Sequence, residues 1–165
     1  MNNTDINNTD INNPDINNET KCSICVYSSL IFVTNVFSAL YYSHYFYAFL
    51  FLCLTITSFV HHTYNTFYTG IIDKIPVYAV ILYGGFIFYN KYIKDLIIDS
   101  DLTTSSLINI KAALIVSTFL SVVFLYTYGH LTDNYSFHPS HSVSQMYHSL
   151  LHIISSIGHH FIISL

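Results

Sequence analysis

Histidines are the residues of this chain whose type and spacing could do chemistry. Histidine occurs ten times, twice as often as lysine, and arginine is absent. His148 and His152 are four residues apart, so on a helix they share one face, and Ser58 and His62 repeat that spacing. Three neutral imidazoles with water in the fourth position form a catalytic zinc set. A carboxylate near that water, here Asp73, could take its proton.

Membrane helices are the elements that must hold these residues. Charged residues make up 8% of the chain, against about 25% in a soluble domain, and such a chain cannot build a polar shell. The net charge of −4, with five scattered lysines, also excludes a basic nucleic-acid-binding surface. Residues 22–72 contain no charged side chain. Because one span needs about 20 apolar residues, this stretch predicts two spans.

The whole chain predicts an all-α, polytopic membrane helix bundle of about five transmembrane helices. The predicted spans are residues 22–42, 45–64, 71–89, 109–128 and 143–165. Pro76 falls in the first turn of the third span, where proline is tolerated. Residues 1–20 repeat a short Asn-rich unit without apolar periodicity and predict a disordered tail, so the transmembrane domain covers residues 21–165.

Lysine placement predicts the orientation of the bundle. Lys91 and Lys94 fall between the third and fourth spans and Lys111 lies at the start of the fourth, and the positive-inside rule places that connection in the cytoplasm. The N-terminus is then lumenal or extracellular, and the C-terminus is cytoplasmic. In this alternating topology the end of the second span lies at the same membrane level as the starts of the third and fifth spans. The candidate residues at that level are His62, Asp73, His148 and His152.

The other polar residues have structural interpretations. His61 points about 100° away from its neighbouring histidine on a helix, so it is left out of the proposed ligand set. His159 and His160 lie two turns further along the last span and predict packing or hydrogen bonds between helices. Cys22 and Cys25 form a single CxxC without the second pair that a zinc ribbon needs, which favours small residues at a helix entrance over a redox role.

Three motifs resemble the alkaline ceramidases. Residues 58–62 resemble the family's Ser-x-x-x-His. Residues 71–76, Ile-Ile-Asp-Lys-Ile-Pro, resemble its Leu-Leu-Asp-Glu-Leu-Pro, and the aspartate follows the histidine by eleven positions, as in the family. Residues 148–158 resemble its His-x-x-x-His-Ile-Leu-Thr-x-Leu-Gly, with the same final glycine spacing. These enzymes belong to a zinc-dependent membrane hydrolase superfamily that also contains adiponectin-type receptors and GPI-lipid remodelling proteins.

The resemblance implies an enzyme that hydrolyses the amide bond of ceramide-like membrane lipids and releases a sphingoid base and a fatty acid. The implied ligands of Zn²⁺ are His62, His148 and His152. The implied catalytic residues are Asp73, which moves the proton of water, and Ser58, which stabilises the developing oxyanion.

Two features of this chain differ from the alkaline ceramidases, and two other functions remain open. The family has seven spans, so the five predicted here imply that two have been lost. The family's acidic calcium ligands lie near the first span, and residues 28–38 contain no acid, so no calcium site is predicted. The expected location is the endoplasmic reticulum, the Golgi or another endomembrane. The alternatives are a GPI-lipid or phospholipid hydrolase of the superfamily, and a non-catalytic membrane protein in which zinc only joins helices.

Overall fold

The structure is a computed structural model that describes residues 24–98 and 102–165. The predicted Asn-rich tail and Cys22 lie outside the described residues. The described part of the chain is helical and contains no strand, which confirms the predicted all-α helix bundle. The helices are α1 (Phe32–Tyr41), α2 (Tyr45–Tyr64), α3 (Phe67–Ile98), α4 (Leu102–Thr132) and α5 (His141–Ile163). Helical turns over residues 24–29 lead into α1, and a short 3-10 helix, Tyr135–Phe137, precedes α5.

Four of the described helical segments are long and apolar enough to cross a membrane, which supports a membrane protein. They are Ile24–Tyr41, Tyr45–Tyr64, Phe67–Tyr92 and Ser106–Phe137. Large apolar side chains are exposed along all of them, as expected for helices whose outer faces meet lipid.

The last helix, α5, differs from the predicted apolar span over residues 143–165. It has the length of a span, but serine and histidine recur along it, and it is not among the four segments with the composition of one. Its polar residues turn inward, since Ser149, His152 and Ser156 are buried. The helix packs against α1, α3 and α4, so its neighbours shield that polar face from lipid.

The connection between α2 and α3 is short and brings the end of one helix beside the start of the other. Asn65 ends α2 in the left-handed conformation, with φ of 46°, and its N–H donates to the carbonyl of His61 at 2.7 Å. Asparagine tolerates this conformation better than most residues. Helix α3 then starts at Phe67, before the predicted third span. Pro76 therefore lies inside the helix and not in its first turn, where it removes one helical hydrogen bond.

A buried polar pair joins α1 to α5. Asn35 is fully buried, and its Nδ2 donates to the carbonyl of Ser156 at 3.0 Å. The hydroxyl of Ser156 donates in return to Oδ1 of Asn35 at 2.6 Å. These two bonds fix the register of α1 against α5, and that register decides which α1 residues reach the histidines of α5.

Candidate metal centre

Three histidines from two helices converge at one end of the bundle. The ring centroids of His62 and His148 are 4.9 Å apart, those of His62 and His152 are 5.2 Å apart, and those of His148 and His152 are 4.9 Å apart. Each ring can offer one nitrogen such that the three nitrogens lie within 4.8 Å of one another. The structure thus brings together all three residues that the sequence predicts as ligands.

Local helical geometry and chain direction explain this convergence. His148 and His152 are one turn apart on α5, so their rings project from the same face. His62 lies in the last turn of α2, which ends at Tyr64. Because α2 ends where α5 begins, the two faces meet at one level of the bundle.

The helical turns over residues 24–29 also reach this cluster. The hydroxyl of Ser28 lies 2.9 Å from Nδ1 of His152. The ring of Phe32 packs edge-on against the same imidazole, with centroids 5.5 Å apart. The ring of His152 is therefore held by a polar contact with Ser28 and by a ring contact with Phe32.

The donor set of the cluster fits zinc. All three donors are imidazole nitrogens, which suit Zn²⁺, and three protein ligands are the number that a catalytic zinc site uses. The three histidines are half-buried or buried. Contacts with neighbouring residues therefore orient their rings for metal binding.

The predicted base, Asp73, lies on α3 and is not part of the three-histidine group. The hydroxyl of Thr57 donates to its Oδ1 at 2.9 Å. Its carboxyl is half-buried and close enough to His61 to interact electrostatically with it. Asp73 is thus held between α2 and α3, on the side of α2 that carries His61.

The predicted oxyanion donor, Ser58, lies one turn before His62 on α2. It is 2% exposed, so its hydroxyl belongs to the interior of the bundle. The spacing of four residues places both side chains on the same face of the helix. Because His62 lies near the end of α2, Ser58 lies one turn closer to the middle of the bundle.

His61 is the residue at this site that the sequence reasoning leaves out. Its ring lies 5.2 Å from that of His62, and its Nδ1 is 3.2 Å from the hydroxyl of Thr69. A β-carbon added at Gly70 would come within 3.2 Å of the His61 ring, so this glycine makes room for it. Its position follows from the tight connection after α2, which folds the start of α3 onto α2 beside His61.

His159 and His160, further along α5, bond across helices, as predicted. Nδ1 of His159 pairs with the hydroxyl of Tyr47, which is fully buried on α2. Nε2 of His160 lies 2.9 Å from the hydroxyl of Thr34 on α1.

A largely apolar cavity of about 410 Å³ lies between α3, α4 and α5. Ser155, His159 and Ile162 contribute to its wall from α5. With about 100° between successive residues, these side chains and His152 fall within about 80° of one helix face. The cavity therefore starts about one turn beyond the histidine cluster and follows the same face of α5 deeper into the bundle.

Comparison with protein-family models, with curated proteins and with solved structures found no match for this chain. The fold and the geometry of the histidine cluster are the observations from which a function can be argued.

Proposed function

We propose that this chain is a zinc-dependent intramembrane hydrolase that cleaves the amide bond of ceramide-like lipids into a sphingoid base and a fatty acid. The observation that carries the proposal is the convergence of His62, His148 and His152. Ionisable side chains inside membrane helices are rare and usually functional. The resemblance of the motifs around these residues to alkaline ceramidases supplies the reaction.

The proposed chemistry uses the metal for activation and the protein for positioning. Zinc bound by the three histidines would lower the pKa of water to about 7 and polarise the amide carbonyl. Asp73 would take a proton from the attacking water and return one to the leaving amine as the carbon–nitrogen bond breaks. Thr57, which donates to one carboxylate oxygen, orients the carboxyl group of Asp73.

Ser58 supports the proposed reaction from the interior side of the cluster. A buried hydroxyl can donate to an oxyanion without first shedding water, and such fixed donors account for a large part of catalysis in acyl transfer. Its place one turn before His62 puts it on the face of α2 that carries the metal ligand.

The cavity supports a lipid as substrate. Its lining on α5 runs from Ser155 to Ile162, which is about eight residues or about 11 Å at the rise of a helix. Its wall is mostly apolar. A hydrocarbon chain whose amide lies at the cluster would extend along this face.

The proposed orientation rests on lysines at the opposite end of the bundle. Lys91 donates to the carbonyl of Ile163 at 3.1 Å, and Lys111 donates to the carbonyl of Ser164 at 2.9 Å. We infer a cytoplasmic location for this end from the positive-inside rule, with the histidine cluster and the N-terminus lumenal in an endomembrane such as the endoplasmic reticulum or Golgi.

A different lipid hydrolase of the superfamily would use the same ligands on another lipid, such as a GPI lipid or a phospholipid. A non-catalytic role is favoured by one observation: Asp73 is bonded to Thr57 and lies outside the histidine group. In that case zinc would only join α2 to α5, since a metal shared by two helices stabilises the bundle whether or not water reacts.

The test is to purify the protein in detergent, measure zinc, and assay fatty acid release from ceramide. We expect one zinc per chain, loss of zinc in His152→Ala, and retained zinc with lost activity in Asp73→Asn. His160→Ala is the matched control, because this histidine lies on the same helix and bonds Thr34. Zinc without activity towards any amide or ester lipid would support the non-catalytic role. Wild-type protein without zinc would overturn every metal-dependent proposal.

A further inference from the structure

Ser28 makes two polar contacts, one with the backbone and one with the ring of His152, a candidate metal ligand. Its hydroxyl lies 3.1 Å from the carbonyl of Cys25, to which it donates, and 2.9 Å from Nδ1 of His152. A serine hydroxyl has one hydrogen and two lone pairs. When this hydrogen goes to the carbonyl of Cys25, the contact with His152 is made by a proton on Nδ1, which donates to the oxygen of Ser28.

We propose that Ser28 is the positioning residue of the metal centre, which fixes the tautomer and the ring orientation of His152. A neutral imidazole protonated at Nδ1 has its free lone pair at Nε2. Ser28 therefore leaves Nε2 as the metal-binding atom of His152. This inference rests on the proposed metal site and adds to it a role for the turns before α1.

The surroundings of Ser28 are suited to this role. Cys25 is 1% exposed, and its thiol lies 3.5 Å from the carbonyl of Gln145 at the start of α5. The turn that carries Ser28 is thus attached to the helix that carries His152. Phe32, one turn further along, packs against the imidazole ring. The hydrogen bond fixes the direction of the ring nitrogen, and the aromatic contact restricts the tilt of the ring.

A hydrogen bond of this kind has a measurable effect in metalloproteins. Ligand histidines usually donate their second ring nitrogen to an oxygen of the protein, and removal of that oxygen weakens metal binding about 10- to 100-fold. We therefore expect Ser28→Ala to weaken zinc binding by about that factor. Ser28→Thr retains a hydroxyl at the same position and should restore most of the affinity.

The chain offers a matched control in the next residue. Ser29 is fully buried and donates to the carbonyl of Val26 at 2.7 Å, so it makes the same backbone bond as Ser28. It contributes none of the contacts described for the histidine cluster. Ser29→Ala should leave the zinc affinity unchanged.

The experiment measures zinc affinity by competition with a chelator for wild type, Ser28→Ala, Ser28→Thr and Ser29→Ala in the same detergent. The ¹⁵N chemical shifts of the His152 ring in zinc-free protein report its tautomer independently. We expect the Nδ1-protonated form in wild type and a mixture in Ser28→Ala.

The outcomes separate the two levels of inference. If wild type binds no zinc, the proposed metal site fails and this inference fails with it. If wild type binds zinc and Ser28→Ala binds it equally well, the site stands and the role of Ser28 is overturned. If Ser28→Ala and Ser29→Ala weakened zinc binding equally, the cause would be a general loosening of this turn. That result would also overturn the proposed role of Ser28.

Discussion

The buried pair of Asn35 and Ser156 leads to a quantitative prediction about the attachment of α1 to α5. The pair makes two bonds, of which Ser156→Ala removes one and Asn35→Leu removes both. Hydrogen bonds between membrane helices contribute about 0.6 kcal/mol on average and reach about 1.7 kcal/mol. Ser156→Ala also leaves the buried amide oxygen of Asn35 without this donor. We therefore expect the free energy that holds α1 against α5 to fall by about 1–2 kcal/mol. Asn35→Leu should lose about twice as much, since two bonds disappear.

The two changes should not be additive. Once Asn35 has become leucine, the hydroxyl of Ser156 has lost its partner, so a second substitution to alanine removes no further bond. We therefore expect Ser156→Ala to have an effect close to zero in the Asn35→Leu background. This non-additivity is the signature of a direct pairwise interaction.

The thiol of Cys25 supplies the assay. It is buried in the turns before α1 and contacts Gln145 on α5, so a thiol reagent reaches it only when α1 separates from α5. With Cys22 and Cys53 replaced by serine, the labelling rate of Cys25 reports that opening. A change of about 1–2 kcal/mol corresponds to labelling about 5- to 30-fold faster.

Ser155→Ala is the control for this assay, because Ser155 is the neighbouring serine and lies on the cavity wall. It should leave the labelling rate close to that of wild type. Labelling of Ser156→Ala at the wild-type rate would refute the reasoning. The reasoning would also be refuted if Ser156→Ala accelerated the labelling of Cys25 as much in the Asn35→Leu background as it does alone.

The remaining predictions concern the packing of α4 and the orientation of the chain. A β-carbon at Gly158 would come within 2.5 Å of the hydroxyl of Thr118, so Gly158→Ala should lower stability by about 1–3 kcal/mol. Thermal unfolding in detergent measures this, and an unchanged midpoint would contradict the close approach. Asn134 begins an Asn-Tyr-Ser sequon in the exposed connection before α5 and should be glycosylated if that end is lumenal. Glycosylation of a sequon introduced between Lys91 and Lys111 would contradict the proposed orientation and indicate the opposite one.

Several features of the fold follow from local sequence alone. The absence of charge over residues 22–72 predicts membrane helices, and the structure has apolar helices there from residue 24 onward. The spacing of His148 and His152 places them on one face, because the period of a helix does not depend on what packs against it. Alternating chain direction then brings His62 to the same end of the bundle.

Other features are not visible in hydropathy, which averages over all faces of a helix. The last helix is polar on its buried side, so its composition differs from that of a lipid-facing span although its length is similar. The polar connection expected between the third and fourth spans is helical over its described residues, since a helix satisfies its own backbone and can continue beyond the apolar segment. Pro76 lies within α3 for the same reason.

The sequence by itself determined which residues could bind a metal and that two of them share a helix face. Only the tertiary structure decided what surrounds them. Ser28 and His152 are separated by 124 positions, and no local pattern indicates that they are bonded. Asp73 lies beside Thr57 because a short connection folds α3 onto one particular side of α2. Helical periodicity is a local property, whereas the pairing of faces depends on how all the helices pack at once.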